Sequence, residues 1–186
     1  MLQLVVMVFI ARHGQSEANL DDLFAGKELN SPLTNIGREQ AKFSGAKVKL
    51  LNIAKIVSSP IERALETAQI IRDSAGLNEI KIEVEKDLEE LAMGELSGTK
   101  RFKGVDEFWG AVGVEDPDKF RDRVARTLLK VDEEGRNILV VSHGVVIKAI
   151  ITIENGLTAR EIRTLHDIEN AVVKEVDMDA IKKFLE

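Results

Sequence analysis

The stretch Ile10-Ala11-Arg12-His13-Gly14-Gln15-Ser16-Glu17 decides the fold, because in it an apolar run ends abruptly in charged residues. The run, residues 4–11, has the length and the Val, Ile and Phe content of a strand buried on both faces of a sheet. Open α/β sheets bind ligands at the carboxyl ends of their strands, where Arg12 and His13 fall. Arginine offers a fixed fork for phosphate or carboxylate, and histidine can act as a nucleophile or base near neutral pH. Taken alone, the stretch is equally consistent with a solvated strand end and with a ligand site.

The composition describes an acidic chain that is long enough to bury one sizeable core. Its 186 residues, of which 44% are hydrophobic, predict a single domain over residues 1–186. The net charge of -6 favours neither nucleic acid nor an anionic membrane as a partner, so an anionic ligand would need a local cluster of cations. The apolar start lacks a basic segment and reaches Arg12 too early for a spanning helix, so we expect a first strand rather than a signal or membrane segment.

The chain contains no cysteine, which excludes disulfides, cysteine nucleophiles and thiolate metal sites. This composition agrees with a cytoplasmic location. The three histidines are His13, His143 and His166, and no pair of them has the close spacing of a zinc-binding helix motif. We therefore expect no protein-bound metal.

Strands alternate with helices along the chain, which predicts a three-layer α/β/α sandwich with a mostly parallel central sheet. Further strands are predicted at residues 53–58, 80–84, 137–142 and 170–176. Helices are predicted at residues 35–49, from Pro60 onward, from Pro117 to the stop at Gly135, at 145–155 and at 177–186. Ser59 is predicted to cap the helix that begins at Pro60, with Glu62 completing a capping box.

Arg63 falls in the first turn of that helix, where the helix dipole disfavours a cation. A salt bridge to Glu62 or Glu66 would explain it. The alternative is that Arg63 and the helix amino terminus together hold an anion. On this evidence alone the two explanations are equal.

A second apolar strand, residues 137–142, also ends in a His-Gly pair, at His143 and Gly144. Parallel strands place their carboxyl ends at one sheet edge, so both imidazoles could meet in one crevice. With Arg12, Arg63 and the start of the following helix they would form a phosphate pocket on an otherwise acidic chain. Two buried histidines that serve only as core hydrogen-bond partners are the weaker alternative, because neither lies on an apolar stripe.

Five segments together resemble the histidine phosphatase superfamily, the phosphoglycerate mutase-like group. They are residues 12–19 (RHGQSEAN), 31–41 (SPLTNIGREQA), 58–64 (SSPIERA), 88–94 (LEELAMG) and 142–144 (SHG). The segments follow the family's order and cover most of the chain, and the full set is highly specific where a single segment would be weak. The resemblance implies the phosphoglycerate mutase-like fold.

The resemblance also implies a mechanism and a set of site residues. His13 would be the nucleophile that forms a phosphohistidine, and Glu90 the proton donor, with its neighbour Glu89 left solvated. The phosphoryl group and the rest of the substrate would contact Arg12, Arg63, His143, Asn19, Ser16, Gly144, Ala25, Gly26 and Arg101. No metal is required, because the arginines and imidazoles supply the positive field.

The family contains both phosphatases and mutases, and the sequence favours a phosphomonoesterase acting on a small phosphorylated metabolite. Residues 15–17 and 24–26 resemble mutases, and Arg101 could replace the lysine that mutases use on the substrate carboxylate. However, Ala18 and Met93 stand where mutases usually carry an aromatic residue and a tyrosine, and residues 90–143 show no sign of the mutase arginine pair.

Two alternative functions remain. The first is a phosphoglycerate mutase with 2,3-bisphosphoglycerate as its cofactor. The second is a non-catalytic phosphate-binding module, which the presence of both His13 and Glu90 disfavours. The sequence leaves open the natural substrate, the choice between monomer and homo-oligomer, and the roles of His166 and Trp109.

Overall fold

The computed structural model describes residues 7–132 and 135–186, and its centre is a five-stranded sheet. The strands are β1 (Val8–Arg12), β2 (Ile53–Ser58), β3 (Ile82–Val84), β4 (Asn137–Ser142) and β5 (Val173–Val176). They lie in the order β3-β2-β4-β1-β5, and only the pairing of β5 with β1 is antiparallel. The predicted mostly parallel sheet is therefore confirmed, while residues 4–6 of the predicted first strand lie outside the described residues.

Seven α-helices cover the sheet in the described part of the chain. They are α1 (Glu17–Leu20), α2 (Asn35–Val48), α3 (Glu62–Ala75), α4 (Val105–Gly110), α5 (Pro117–Val131), α6 (Gly144–Glu154) and α7 (Met178–Phe184). Short 3₁₀ helices occupy Lys86–Leu88, Gly94–Leu96 and Ala159–Arg163. Since α2 and α3 pack on one face and α5, α6 and α7 on the other, the predicted three layers are confirmed.

The central strand β4 shows why the sheet centre has an uninterrupted apolar sequence. Ile138 and Val140 belong to the core under α5 and α6, whereas Leu139 and Val141 belong to the core under α2 and α3. All four side chains are fully buried. Because successive side chains point to opposite faces, a strand with helices on both sides needs an apolar residue at every position.

The predicted start of α3 is wrong. Its first helical residue is Glu62 and its N-cap is Ile61, so the predicted capping box of Ser59 and Glu62 does not start the helix. The backbone N–H of Ser59 still donates to the carbonyl oxygen of Val141, at 3.0 Å. This pairing continues the sheet past β2 and keeps the chain extended at the position where the capping pattern predicted a helix.

Other elements are also shorter than predicted. Helix α5 ends at Val131 rather than at Gly135, although Gly135 has the expected left-handed backbone, with φ of +83°. Residues 133 and 134, between them, lie outside the described residues. Within the predicted strands at residues 80–84 and 170–176, only β3 and β5 form strands of the sheet.

The amino-terminal turn of α2 packs directly against the loop that follows β1. A Cβ atom added to Gly37 would lie 2.1 Å from the carbonyl oxygen of Gln15, and one added to Gly14 would lie 2.3 Å from the carbonyl oxygen of Gly37. Both distances are far below van der Waals contact, so each position excludes a side chain. The glycine pair therefore fixes how closely the loop after β1 approaches α2.

We expect Gly37→Ala to destabilise the fold by about 1–3 kcal/mol, because the added methyl group meets backbone atoms that cannot move aside. The matched control is Gly110→Ala in α4, where an added Cβ has no atom within 4 Å and the residue is exposed. The control should change stability by less than about 1 kcal/mol. Urea-unfolding midpoints of the two variants check this, and equal midpoints would contradict the packing argument.

Candidate active site

The two predicted histidines lie side by side because β1 and β4 are paired neighbours. Arg12 is opposite Ser142 in the parallel register, and the backbone N–H of His13 donates to the carbonyl oxygen of Ser142 at 2.9 Å. Each imidazole follows directly after its strand, and the ring centroids of His13 and His143 are 5.3 Å apart with an angle of 63° between the ring planes. The structure thus brings both His-Gly pairs to one point at the sheet edge.

The hydrogen bonds of His13 define its tautomer. Its Nδ1 lies 2.7 Å from the carbonyl oxygen of Gly14, and because a carbonyl oxygen only accepts, Nδ1 carries the hydrogen. Nε2 is then the acceptor, and Nε of Arg63 donates to it at 3.2 Å. Burial, together with the charges of Arg63 and Arg12, lowers the pKa of His13 well below its usual value. His13 is therefore a neutral imidazole with its lone pair on Nε2.

Arg63 is almost fully buried, with 1% of its surface exposed. Its Nη2 donates to the carbonyl oxygen of Gly26 at 2.7 Å, and its Nη1 donates to that of Leu29 at 3.2 Å. The two glutamates proposed as salt-bridge partners are engaged elsewhere, since Glu66 pairs with Arg38 and Glu62 accepts from Asn30. Of the two explanations for Arg63, the structure therefore supports a cation directed at the crevice.

Arg12 lies across the start of α6 on the other side of the crevice. A Cβ atom at Gly144 would lie 3.2 Å from Nε of Arg12, so the glycine makes room for the guanidinium. Nη1 of Arg12 donates to the carbonyl oxygen of Ile168, whereas its buried Nε has no hydrogen-bond partner within residues 7–132 and 135–186. Burial lowers the pKa of Arg12, and the charge of Glu90 opposes that shift.

Glu90 faces the same crevice and is only 7% exposed. Its Oε1 accepts from the backbone N–H of Leu91 at 3.0 Å, and its Oε2 accepts from that of Val145 in the first turn of α6 at 3.3 Å. Burial raises the pKa of Glu90, although these two hydrogen bonds and the charge of Arg63 oppose the rise. Glu89, expected to be solvated, is half-buried.

His143 is fully buried and is oriented by Ser59. Its Nε2 lies 2.8 Å from Oγ of Ser59, and that hydroxyl also accepts from the backbone N–H of Ile61 at 3.3 Å. The hydroxyl of Ser59 therefore holds the His143 ring in place through Nε2. Its Nδ1 is buried and has no hydrogen-bond partner in the described part of the chain.

Most of the residues expected at the site line one pocket. Those that do are Arg12, His13, Asn19, Ala25, Gly26, Arg63, Glu90, Arg101 and Gly144. His143 lies behind the pocket wall, in contact with the His13 ring. Ser16 is also buried and does not line this pocket. It is the N-cap of α1, and its backbone N–H donates to Oδ1 of Asn19.

Other residues that support the site were not expected from the sequence. Oγ1 of Thr67 accepts from the backbone N–H of Gly14 at 3.0 Å and donates to the carbonyl oxygen of Arg63 at 2.6 Å, so it links the two sides of the crevice. Nδ2 of Asn170 donates to the carbonyl oxygen of His13 at 3.0 Å and to Oδ1 of Asn19 at 3.2 Å. Neither residue belongs to a motif, and only the long-range contacts reveal them.

Trp109 has a structural place in the fold. Its ring lies edge-on to Phe108 at 4.8 Å between centroids, and its Nε1 donates to the carbonyl oxygen of Arg160 at 3.2 Å. Phe108 in turn packs against Phe24, which lines the pocket. Trp109 therefore buttresses one wall of the pocket and does not line it.

The described residues contain no group of three or more His, Cys, Asp or Glu side chains that could hold a metal ion. Over the same residues, no helix is both long and apolar enough to cross a membrane. The crevice instead combines two buried guanidinium groups, a neutral imidazole with an available lone pair, and a buried carboxyl group. This combination defines a class of protein that transfers phosphoryl groups to a histidine.

The chain belongs to the histidine phosphatase superfamily (branch 1), whose family model matches residues 8–186. It is 31% identical to a Hydrogenobacter thermophilus protein whose name assigns it provisionally as phosphoserine phosphatase 2, over 96% of this chain and 92% of the relative. It is 30% identical to the 2,3-bisphosphoglycerate-dependent phosphoglycerate mutase of Methylobacterium sp. (strain 4-46), over 84% of each chain. The crystal structure of phosphoglycerate mutase from Bacillus anthracis matches with a TM-score of 0.79 and 25% identity, over 99% of this chain and 98% of that one.

These findings confirm the resemblance that the five sequence segments indicated, and with it the enzyme class. The relatives are phosphatases and phosphoglycerate mutases, which act on small phosphorylated substrates. Members of this superfamily typically need no metal.

Ser59→Ala should lower kcat for p-nitrophenyl phosphate by about tenfold, which is less than the roughly 10²–10³-fold cost of losing a direct transition-state donor. Without the hydroxyl, the ring of His143 loses the hydrogen bond that orients it. The control is Ser44→Ala, which removes a buried hydroxyl from α2. Steady-state kinetics check this, and a loss in kcat that is the same in both variants would contradict the role of Ser59.

Proposed function

We propose that the protein is a phosphomonoesterase that hydrolyses a small phosphorylated metabolite through a phosphohistidine at His13. The observation that carries this proposal is the state of His13, a neutral imidazole whose Nδ1 hydrogen is held by Gly14 and whose Nε2 lone pair faces the crevice. A neutral imidazole attacks without first losing a proton, so it is ready to react at neutral pH.

In the first step, Nε2 of His13 attacks phosphorus and the bond from phosphorus to the ester oxygen breaks. Protonated Glu90 gives its proton to that leaving oxygen, and its raised pKa favours the protonated state that this step needs. In the second step, water attacks the phosphohistidine, and the carboxylate of Glu90 accepts the proton that the water loses. Inorganic phosphate and neutral His13 are released.

The charge that spreads over the phosphoryl oxygens would be held by the groups that the pocket presents. Nε of Arg12 is buried without a partner, and Nε of Arg63 would transfer its hydrogen bond from the His13 lone pair to the phosphoryl group. The amide of Asn19 supplies a neutral donor from the pocket, and Nδ1 of His143, buried without a partner behind the pocket wall, would supply a second one. Such preorganised donors, fixed by carbonyl oxygens before the ligand arrives, need little reorganisation during the reaction.

The second candidate function is a phosphoglycerate mutase that uses 2,3-bisphosphoglycerate, and the mutase relatives favour it. A mutase must retain its bisphosphate intermediate and exclude water. Ala18 and Met93, which replace the larger residues usual in mutases, support hydrolysis instead. Incubation with 3-phosphoglycerate, with and without 2,3-bisphosphoglycerate, separates the two functions, because a mutase yields 2-phosphoglycerate and a phosphatase yields inorganic phosphate.

We further propose that residues 1–186 form one domain and that the protein works in the cytoplasm without a metal. The family match over residues 8–186 supports the single domain. The lack of cysteine supports a reducing compartment. As a phosphatase it would need no cofactor, whereas 2,3-bisphosphoglycerate would be the cofactor of the mutase.

His13→Ala should abolish both turnover and formation of the phosphoenzyme, because the variant has no imidazole at the end of β1. Rapid-quench kinetics with a substrate radiolabelled at phosphorus measure the phosphohistidine directly. The quench must not be acidic, because phosphohistidine is acid-labile. A variant that folds normally by circular dichroism and retains near-normal turnover would show that the covalent intermediate does not form at His13.

Glu90→Gln should reduce kcat/KM strongly for an alkyl phosphate and only weakly for p-nitrophenyl phosphate, whose leaving group needs no proton. The control is Glu89→Gln, which should affect neither substrate. In the wild type, activity toward the alkyl phosphate should fall as pH rises through the raised pKa of Glu90, because the ionised carboxylate cannot donate. An equal loss on both substrates would remove Glu90 from the acid role.

A further inference from the structure

A second cleft, here called the distal cleft, adjoins the pocket that holds His13. The charged and titratable residues that line it are Asp22, Arg101, Lys103, Lys148, Arg163, His166 and Asp167. Three of these, Arg101, Lys148 and Asp167, also line the active-site pocket, so the two cavities are continuous. A substrate whose phosphoryl group lies at His13 can therefore extend into the distal cleft.

The distal cleft is positively charged although the whole chain is acidic. Four of its lining residues are arginine or lysine and two are aspartate, which gives a local charge of +2 when His166 is neutral, against -6 for the chain. A concave surface lined by charge of one sign concentrates the oppositely charged group of a ligand. The local field therefore favours an anion.

Arg163 is held rigidly in the wall of the distal cleft. Its guanidinium carbon lies 4.5 Å from the ring centroid of Phe108 and 5.4 Å from that of Phe24, and Nη2 donates to the carbonyl oxygen of Phe102. Phe24 lines the active-site pocket as well. A cation stacked on aromatic rings keeps its charge while it loses little freedom when a ligand binds.

Asp167 lies between two of the cations and pairs with both of them. Its Oδ2 accepts from Nη1 of Arg101 at 2.8 Å, and its Oδ1 accepts from Nζ of Lys148 at 2.9 Å. Burial by itself would raise the pKa of Asp167, but the hydrogen bonds and charges of Lys148 and Arg101 outweigh it and lower the pKa to about 2. Asp167 is therefore ionised at neutral pH and pairs with both cations, while Nη1 of Arg101 also lies 4.0 Å from Oδ1 of Asp22.

The position of Asp167 allows it to move away from these cations. It lies between the 3₁₀ helix Ala159–Arg163 and β5, outside regular structure, and its side chain is 59% exposed. Lys148, by contrast, is fixed in α6, is 6% exposed and donates a further hydrogen bond to the carbonyl oxygen of Leu165 at 3.0 Å. An incoming anion would find the cations in place and a carboxylate that can turn to solvent.

We propose that the distal cleft binds a second anionic group, a carboxylate or a phosphoryl group, of the substrate whose phosphoryl ester is hydrolysed at His13. This inference rests on the proposed hydrolytic function. On binding, the second anion replaces Asp167 between Arg101 and Lys148. The substrate class is therefore a phosphomonoester that carries another acidic group, rather than a phosphorylated neutral alcohol.

Three substrates that share a three-carbon frame test the proposal. Glycerol 3-phosphate has no second anion, 3-phosphoglycerate has a carboxylate, and glycerol 1,3-bisphosphate has a second phosphoryl group. The wild type should show a kcat/KM at least about tenfold higher for one or both anionic substrates than for glycerol 3-phosphate, as expected for one charged hydrogen bond. Whichever substrate is preferred identifies the second anion, and equal values for all three would overturn the proposal.

Variants locate the source of this selectivity. Lys148→Met keeps the apolar stem and should lower the ratio of kcat/KM between anionic and neutral substrates about tenfold. Lys103→Met, at an exposed position with little risk to folding, should lower it about threefold. Lys183→Met in α7 makes the same charge change outside both cavities and should leave the ratio unchanged. A ratio that falls equally in all three variants would overturn the assignment to this cleft.

Asp167→Asn tests the displacement step, because it removes the competing charge. The ratio of kcat/KM between anionic and neutral substrates should rise. A ratio that is unchanged or lower would show that Asp167 positions the cations instead of competing with the ligand.

The outcomes also separate this inference from the proposed function. Release of phosphate from p-nitrophenyl phosphate without selectivity overturns the distal cleft alone, whereas an absence of turnover overturns the proposed function. If there is no turnover, calorimetry still tests the distal cleft by comparing the affinities of the wild type and of Lys148→Met for 3-phosphoglycerate. Equal affinities would overturn the proposal for the distal cleft.

Discussion

The parallel pairing of β1 with β4 is the interaction on which the site depends. It places Arg12 opposite Ser142, and it continues past the strands through the hydrogen bond from the His13 backbone to Ser142. A shift of this register by one residue would turn every side chain of the shifted strand to the opposite face of the sheet. Because β4 is apolar and buried on both faces, the cores above and below it hold the register, and through it the distance between His13 and His143.

The site buries positive charge, which costs free energy of folding. Carbonyl oxygens of the loops offset this cost. The side chain of Arg63 donates to Gly26 and Leu29, and that of Arg12 donates to Ile168. These carbonyls solvate the cations without neutralising them, so the field at the crevice stays positive. Burial lowers the pKa values of both imidazoles, and the nearby guanidinium charges act in the same direction, so both rings are neutral.

The sequence predicted the sheet and most of the pocket because both depend on local patterns. Two apolar runs in the sequence end in a His-Gly pair. Each of them identifies both a strand and the end of that strand at which a ligand can bind. The sequence failed where a long-range contact prevailed over a local preference. At Ser59 the capping pattern is present, but pairing with Val141 keeps the backbone extended, and the hydroxyl contacts His143 instead.

The charges around Asp167 show why specificity is harder to predict than chemistry. Arg101, Lys148 and Asp167 lie far apart in the sequence, on a loop, a helix and a second loop, and none of the three reveals the others by spacing. The nucleophile and the acid must meet the same phosphoryl group in every member, so their surroundings have a fixed pattern. The group at the other end of the substrate imposes no such pattern. A carboxylate that bridges two cations beside the reacting centre is therefore informative, because it marks a position where the charge of a substrate would be held.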